Sequence, residues 1–411
     1  MLDLICTSMM SLLRGLVVLQ FFVPASYVVV AFHKGNGNPD VELTAPALIR
    51  KYGYPVEAHN VITEDGYILE IHRIPHGRNN KAILGKPPIL LQHGLTGSSA
   101  DWILKGPSNS LAYILADAGY DVWLGNNRGN IYSKNHTSIS LTDRRFWDFS
   151  YHELGDRDLP ATIDYILDQT RYERLSYIGH SQGTTQFWVM MSKRPNYNGK
   201  IALMIGLAPV AFTGNMRGPI TKLAKLTYMG VRIGEKFGYP EIRARSGWGK
   251  LVTNLFCKNQ TQPLFCNNFL FLITGFDQSE LSGGNRSVIL GHIPAGASWK
   301  QAVHFGQGFT HKDHFREYDY DNEEKNFRLY NSLEPPEYDL NKVTAPVALF
   351  SSNDDLLATP EDVNLLKKKL ANVVFHDELS NEKFSHYDFI WGKYCVTLIF
   401  EPILKLLAAG K

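Results

Sequence analysis

The segment that most constrains the fold of this chain runs from Ser176 to Phe187 and reads SYIGHSQGTTQF. It passes from an apolar strand through Gly-His-Ser-Gln-Gly into residues whose apolar spacing suits a helix packed on a sheet. Such a turn holds a serine above the sheet edge, next to helix N–H groups that favour negative charge. Glycine is expected at positions 179 and 183, because a side chain there would collide with the neighbouring strand or helix. Ser181 is therefore a candidate nucleophile, and an ordinary loop serine is the alternative.

Short apolar strands alternate with helical segments on both sides of this turn. The pattern predicts a mostly parallel sheet covered by helices on both faces. It stops near Thr213 and resumes at about Pro336, and the residues between are amphipathic and rich in aromatic side chains. We therefore predict an α/β core in two parts, residues 33–212 and 337–411, with a helical insertion at residues 213–336. An insertion over the carboxyl edge of an open sheet, where active sites lie, is positioned as a cap or lid, and a fixed insertion is the alternative.

The N-terminal residues 1–32 are expected to be a signal peptide. Residues 15–32 carry no charge and follow Arg14, and the Pro-Ala-Ser sequence at residues 24–26 offers a cleavage region. A retained membrane anchor is the alternative, because about 18 apolar residues can begin to span a bilayer. The formal net charge of +2 gives no electrostatic case for nucleic acid as a partner.

The cysteines and glycosylation sequons favour the secretory pathway. Cys257 and Cys266 close the segment CKNQTQPLFC, which is either a small disulfide loop in an oxidising compartment or a pair of buried free thiols. Three N-x-S/T sequons predict N-glycosylation at Asn135, Asn259 and Asn285.

A nucleophilic Ser181 needs an acid and a histidine, and in α/β-hydrolases these follow the serine in that order. Asp354 and Asp355 come just after the strand VALF, and His386 lies in a loop after the last predicted strand. His376 is the rival histidine, but it sits within that strand. The histidine would take the serine proton and pass it to the leaving alkoxide, while the carboxylate would hold the imidazole in the useful tautomer. These positions alone do not decide whether Asp354 or Asp355 is the acid that supports the histidine.

The tetrahedral intermediate of acyl transfer needs backbone donors for its oxyanion. One is expected from Gln182, the residue after the nucleophile, and the other from Leu95, in the loop after the strand ILLQ. The apolar side chain of Leu95 would also suit an acyl chain. No cofactor is required by this chemistry. No metal is expected either, because the HKDH segment at residues 311–314 has no third ligand evident.

Six motifs stand out along the chain, namely GHSQGTT, LQHGL, YDVWLGNNRGN, DLPATIDYI, NDDLLATPEDV and HYDFIWG. Together they resemble the acid lipase family of α/β-hydrolases, which includes gastric lipase, lysosomal acid lipase and insect lipase 3-like members. The likeness runs from about Ala45 to the C-terminus and includes the segment HIPAGASW of the predicted insertion.

The resemblance implies the α/β-hydrolase fold and a role for each candidate residue. The implied triad is Ser181, Asp355 and His386, since the acid of the family directly precedes a hydrophobic pair and an alanine. The implied oxyanion donors are the backbone groups of Leu95 and Gln182. The resemblance also implies a disulfide between Cys257 and Cys266.

The activity that the resemblance implies is hydrolysis of neutral lipid esters, either triacylglycerols or cholesteryl esters, at a lipid–water interface. The enzyme would be a secreted or lysosomal glycoprotein whose cap contacts the lipid surface. A carboxylesterase acting on small soluble esters is one alternative. A catalytically silent lipid carrier is another, and an intact serine, acid and histidine argue against it.

Overall fold

The computed structural model describes residues 38–79, 85–218, 220–224, 226–242, 285–380 and 383–409. Within these ranges nine strands form one sheet, and two short strands form a separate pair. The strands in chain order are β1 (Glu57–Ile62), β2 (Tyr67–Ile74), β3 (Pro88–Gln92), β4 (Asp121–Leu124), β5 (Asn135–His136), β6 (Leu175–His180), β7 (Ile201–Leu207), β8 (Glu241–Ile242), β9 (Ala297–Ser298), β10 (Val347–Ser352) and β11 (Val373–Leu379).

The large sheet has the strand order β1-β2-β4-β3-β6-β7-β10-β11, and β5 pairs with β2. The strands from β4 to β11 in this order are parallel, whereas β1, β2 and β5 are antiparallel to their neighbours. The β1–β2 hairpin turns at Asp65-Gly66, and Gly66 has a φ of +93° that favours glycine. The mostly parallel sheet confirms the predicted fold class.

Helices fill the connections between the parallel strands and dominate the described part of residues 213–336. They are α1 (Ala45–Lys51), α2 (Leu111–Asp117), α3 (Tyr151–Glu153), α4 (Leu159–Thr170), α5 (Gln182–Lys193), α6 (Ile220–Ala224), α7 (Thr227–Phe237), α8 (Asn285–His292), α9 (Trp299–Thr310), α10 (Glu323–Tyr330), α11 (Pro360–Lys369), α12 (Asp388–Trp391) and α13 (Glu401–Ala409).

Both faces of the sheet are buried, which explains why its central strands are continuous apolar runs. Every residue of β3 is buried. Ile89 and Leu91 belong to the core on the side of α2, whereas Leu90 belongs to the core on the side of α4. Since side chains alternate along a strand, apolar residues are favoured at successive positions when helices cover both faces. Gln92, the last residue of β3, is the polar exception, and its side-chain amide donates to Oδ1 of Asn127 at 2.8 Å.

The described part of residues 213–336 is built differently from the sheet. It contains α6 to α10 and the antiparallel β8–β9 pair. Helix α7 packs on α9, where a Cβ at Gly230 would lie 3.1 Å from Val303. The boundaries 213 and 336 remain a prediction, because residues 243–284 lie outside the described ranges. Among the helices that the structure describes, none combines the length and the apolar character needed to cross a membrane.

Candidate active site

Ser181 occupies the turn between β6 and α5. Its φ of +52° and ψ of −120° lie outside the regions that most L-residues adopt, so the turn is strained. A Cβ at Gly179 would lie 2.8 Å from backbone atoms of Gly183. A Cβ at Gly183 would overlap the carbonyl oxygen of Gln92 on β3. The expectation that both flanking positions need glycine is therefore confirmed, and the cause is steric.

A continuous chain of hydrogen bonds joins Ser181, His386 and Asp355. The Oγ of Ser181 lies 2.7 Å from Nε2 of His386. The Nδ1 of His386 lies 2.8 Å and 3.1 Å from the two carboxyl oxygens of Asp355. These side chains come from three loops at the carboxyl ends of β6, β10 and β11. They meet there because the parallel strands all end at the same edge of the sheet.

The carboxyl group of Asp355 is buried and is held by donors on two sides. Burial alone would raise its pKa, but the charge and hydrogen bond of His386 lower the pKa below its usual value. The N–H groups of Leu357 and Ala358 also donate to Oδ1, at 2.8 Å and 2.9 Å. An ionised Asp355 can only accept hydrogen bonds, so Nδ1 of His386 carries the hydrogen that is donated to it. Nε2 of His386 is then the acceptor that faces Ser181.

The two rival residues lie away from this chain of hydrogen bonds. Asp354 is exposed, and its backbone N–H donates to the hydroxyl of Ser352. His376, on β11, contacts the hydroxyl of Ser351 and the ammonium group of Lys367. Of the four acid and histidine candidates, the structure therefore brings only Asp355 and His386 together with Ser181.

The two predicted oxyanion donors flank the serine. Gln182 is the first residue of α5. Leu95 follows Gly94, and a Cβ at Gly94 would lie only 3.2 Å from Cβ of Ser181. Within the described ranges, neither the N–H of Leu95 nor that of Gln182 has a protein acceptor. Both groups are thus available to a ligand atom beside Ser181.

Two buried histidines support the site, and sequence reasoning did not find them. His180 donates its Nε2–H to the carbonyl oxygen of His386 at 2.8 Å. His93 donates its Nδ1–H to the carbonyl oxygen of Gly94 at 2.7 Å and accepts the N–H of Asn127 at 3.1 Å. Burial lowers the pKa of His180 to about 3 and that of His93 to about 4, so both stay neutral. Their positions beside Ser181 and Gly94 were the signals available in the sequence.

The predicted modification sites are described only in part. Cys257, Cys266 and Asn259 lie outside the described residues. Asn135 is exposed on the short strand β5, and Asn285 begins α8. In the HKDH segment, His311 contacts the hydroxyl of Tyr228 and His314 contacts the carboxyl group of Glu337. Among the described residues, no cluster of three or more histidine, cysteine or carboxyl side chains is arranged to hold a metal ion.

Comparisons with family models and solved structures agree with this architecture. A model described as "alpha/beta hydrolase fold" matches residues 87–224, and one described as "partial alpha/beta-hydrolase lipase region" matches residues 45–106. The crystal structure of a soluble variant of monoglyceride lipase from Saccharomyces cerevisiae superposes with a TM-score of 0.55. It is 15% identical and covers 90% of this chain and 97% of its own. At that identity the likeness establishes the fold alone.

Similar curated sequences establish the family. Gastric triacylglycerol lipase from Rattus norvegicus is 39% identical over 375 residues, which cover 91% of this chain and 94% of the relative. The gastric enzyme from Homo sapiens is 38% identical, covering 91% and 93%. Lysosomal acid lipase/cholesteryl ester hydrolase from Homo sapiens is 36% identical, covering 90% and 92%. The chain therefore belongs to the gastric and lysosomal acid lipase family of α/β-hydrolases, and it is an ester-hydrolysing enzyme.

Proposed function

We propose that Ser181, His386 and Asp355 are the nucleophile, the general base and the supporting acid of this hydrolase. The observation that carries the proposal is the unbroken hydrogen-bond chain from the serine hydroxyl to the carboxylate. The strained turn at Ser181 supports it as well, since strain of this kind persists where the surrounding structure and the function require it.

The chemistry follows from the position of each proton. His386 Nε2 accepts the proton of Ser181 as Oγ bonds to the ester carbonyl carbon, and the carboxylate of Asp355 stabilises the resulting imidazolium. The N–H groups of Leu95 and Gln182 donate to the carbonyl oxygen as it becomes negative. The imidazolium then protonates the leaving alkoxide, and the acyl group stays on Ser181. Water, deprotonated by His386, releases the acid and restores the serine.

The substrates proposed are esters of neutral lipids, either triacylglycerols or cholesteryl esters. The support is the set of relatives named for these activities, which align over about nine-tenths of the chain. The half-buried side chain of Leu95 next to the serine adds an apolar contact suited to an acyl chain. The test is hydrolysis of emulsified triacylglycerol and cholesteryl ester across about pH 4 to 8, with a short soluble ester as control. Hydrolysis of the short soluble ester without hydrolysis of the emulsified lipids would favour a carboxylesterase instead.

The compartment proposed is the secretory pathway, with delivery to the extracellular space or the lysosome after removal of residues 1–32. Relatives named gastric and lysosomal support it, as does the exposure of the Asn135 sequon on an edge strand. N-terminal sequencing of the secreted protein and digestion with an N-glycosidase test it. An intact N-terminus would favour a retained anchor, and an unchanged mass after digestion would contradict glycosylation.

Residues 213–336 are proposed to be a cap that contacts the lipid surface. The support is an apolar stripe along α7 and its N-cap residue, Leu226, formed by side chains three or four residues apart that share one face. These are Leu226, Met229, Ile233 and Phe237, which are 51%, 54%, 41% and 69% exposed. An exposed apolar stripe is costly in water and is favourable against lipid.

A moving cap and a fixed insertion are distinguished by kinetics through the solubility limit of a medium-chain ester. A cap that opens on lipid predicts an abrupt rise in rate as droplets form. A smooth saturating curve through that limit would favour the fixed insertion and leave the proposed triad untouched.

A further inference from the structure

Asp101 is a buried carboxyl group to which the proposed reaction gives no role. It lies in the short 3-10 helix Ser99–Trp102, a few residues after Leu95. The residue is 4% exposed, and its Oδ1 atom has no hydrogen-bond partner in the described part of the protein. A buried carboxyl oxygen without a donor is unfavourable when the group is ionised, so this side chain requires an explanation.

The surroundings of Asp101 connect it to the proposed oxyanion loop. Its Oδ2 atom lies against Gly97, where a Cβ would overlap it. The N–H of Gly97 donates to the carbonyl oxygen of Gly94 at 3.1 Å and so closes the turn that carries Leu95. The backbone carbonyl of Asp101 accepts the indole N–H of Trp391 at 2.9 Å, in the helix that follows His386. Asp101 is therefore packed between the oxyanion loop and the segment that carries the proposed base.

The groups that face Asp101 include no cation within the described residues. Burial, followed by the charge of Asp101, raises the pKa of Tyr387, whose ring also contacts the rings of His180 and His386. Because Asp101 has neither a cation nor a full set of donors, burial raises its own pKa to about 7, although backbone N–H groups oppose that shift. The remaining titratable neighbours are His93 beside Gly97, His72 bonded to Ser99, and Tyr132.

We propose that Asp101 is a positioning residue of the oxyanion loop that works only while its carboxyl group is protonated. The neutral group leaves the loop in its present arrangement. An ionised carboxylate would need more donors than its site supplies, since only the backbone N–H groups of Ser98 and of Asp101 itself oppose the shift, and Oδ1 has no partner in the described residues. Its negative charge would also oppose the negative charge that develops on the substrate oxygen beside Leu95. This inference rests on the proposed role of Leu95.

The test compares Asp101→Asn, which keeps the shape and cannot ionise, with the wild-type enzyme on p-nitrophenyl butyrate from about pH 5 to 8.5. The two rates should agree within about twofold at pH 5. Above about pH 7 the ratio of variant to wild type should rise by up to about tenfold per pH unit, because the protonated fraction of one group falls by that factor. Asp168→Asn, an exposed carboxyl on α4, is the matched control and should keep a constant ratio.

Thermal unfolding gives a second measurement that does not depend on turnover. The pKa of an unfolded aspartate is about 3.9, whereas that of folded Asp101 is raised. Between these two pKa values, the carboxyl group of Asp101 is protonated in the folded state and ionised in the unfolded state. The Tm of the wild type relative to Asp101→Asn should therefore fall as the pH rises from about 4 to about 7 and be constant above that range. Asp101→Leu, which also cannot ionise, serves the same comparison if the asparagine variant does not fold.

Three outcomes separate this inference from the proposed function. Parallel pH profiles of wild type and Asp101→Asn would overturn it and leave the Ser181 assignment intact. A variant that is slower by one factor at every pH would make Asp101 a structural residue only and would also overturn it. Retained activity in Ser181→Ala would instead remove the proposed function on which the inference stands.

Discussion

The carboxyl edge of the sheet buries polar side chains, whereas helix α7 exposes apolar ones. At the edge, His180, Asp355 and His386 are polar and almost fully buried. On α7, Met229 and Phe237 are apolar and more than half exposed. A soluble protein normally does the opposite in both places. Each arrangement is unfavourable by itself, and under the proposed function each is offset by a second molecule, the substrate at the edge and a lipid surface at α7.

The two regions differ in how their residues depend on one another. Each side chain at the edge is held by a hydrogen bond to the next, so that removing one leaves a buried partner unsatisfied. The side chains of the apolar stripe contact solvent separately, and each would add its own buried area to a lipid contact. Substitutions at the edge are therefore expected to have large and non-additive effects, and those on α7 small and additive effects.

The largest effect is expected for Ser181→Ala, which removes the proposed nucleophile. The rate on a soluble ester should fall by about 10⁵-fold or more, while the folded state and Tm are retained. The double variant Ser181→Ala with His386→Ala should be no slower than the single variant, because groups that act as one unit are not additive. Activity of Ser181→Ala within about tenfold of wild type would refute its role as nucleophile, and a double variant slower than the single variant would refute the coupling.

A smaller effect is expected at the acid, where the chain provides its own control in the adjacent position. Asp355→Asn should lower kcat by about 10⁴-fold, because the amide cannot hold His386 in the same tautomer or stabilise the imidazolium. Asp354→Asn, which changes an exposed carboxyl group, should stay within about twofold. The measurement is kcat of both variants on the same ester, and equal or reversed effects would contradict the assignment of Asp355.

The smallest effect is expected for Phe237→Ser on the apolar stripe. Losing one aromatic side chain from a lipid contact costs about 1.5 kcal/mol or more, which is about tenfold in partition onto a lipid surface. The rate on a sparse emulsion should fall by that factor, while the rate on a soluble ester is unchanged. Ile62→Ser removes a similarly exposed apolar residue from β1 of the sheet and should leave both rates as they are. An equal loss in the two variants would show that the stripe has no special role.

The alternation of apolar strands and helices and the turn at Ser181 could be predicted from the chain because their signals are local, whereas the two-residue strands β5, β8 and β9 were not predicted. A central strand such as β3 is covered on both faces and is apolar up to its last residue, Gln92, and the turn requires glycine at positions 179 and 183. The choice between Asp354 and Asp355 was not local, since both follow the same strand. It came from a family resemblance, and the direction of each side chain depends on how the turn after β10 folds.

What the sequence by itself determined is the α/β class of this protein, its membership of the acid lipase family, and the residues that could act as nucleophile, acid and base. Only the tertiary structure decided which polar groups lose their water and which groups replace it. His180 binds the backbone of a residue 206 positions away. Asp101 is left with an oxygen that nothing binds in the described residues. Neither fact can be predicted from the local sequence, because burial and hydrogen bonding depend on segments that meet only when the sheet has formed.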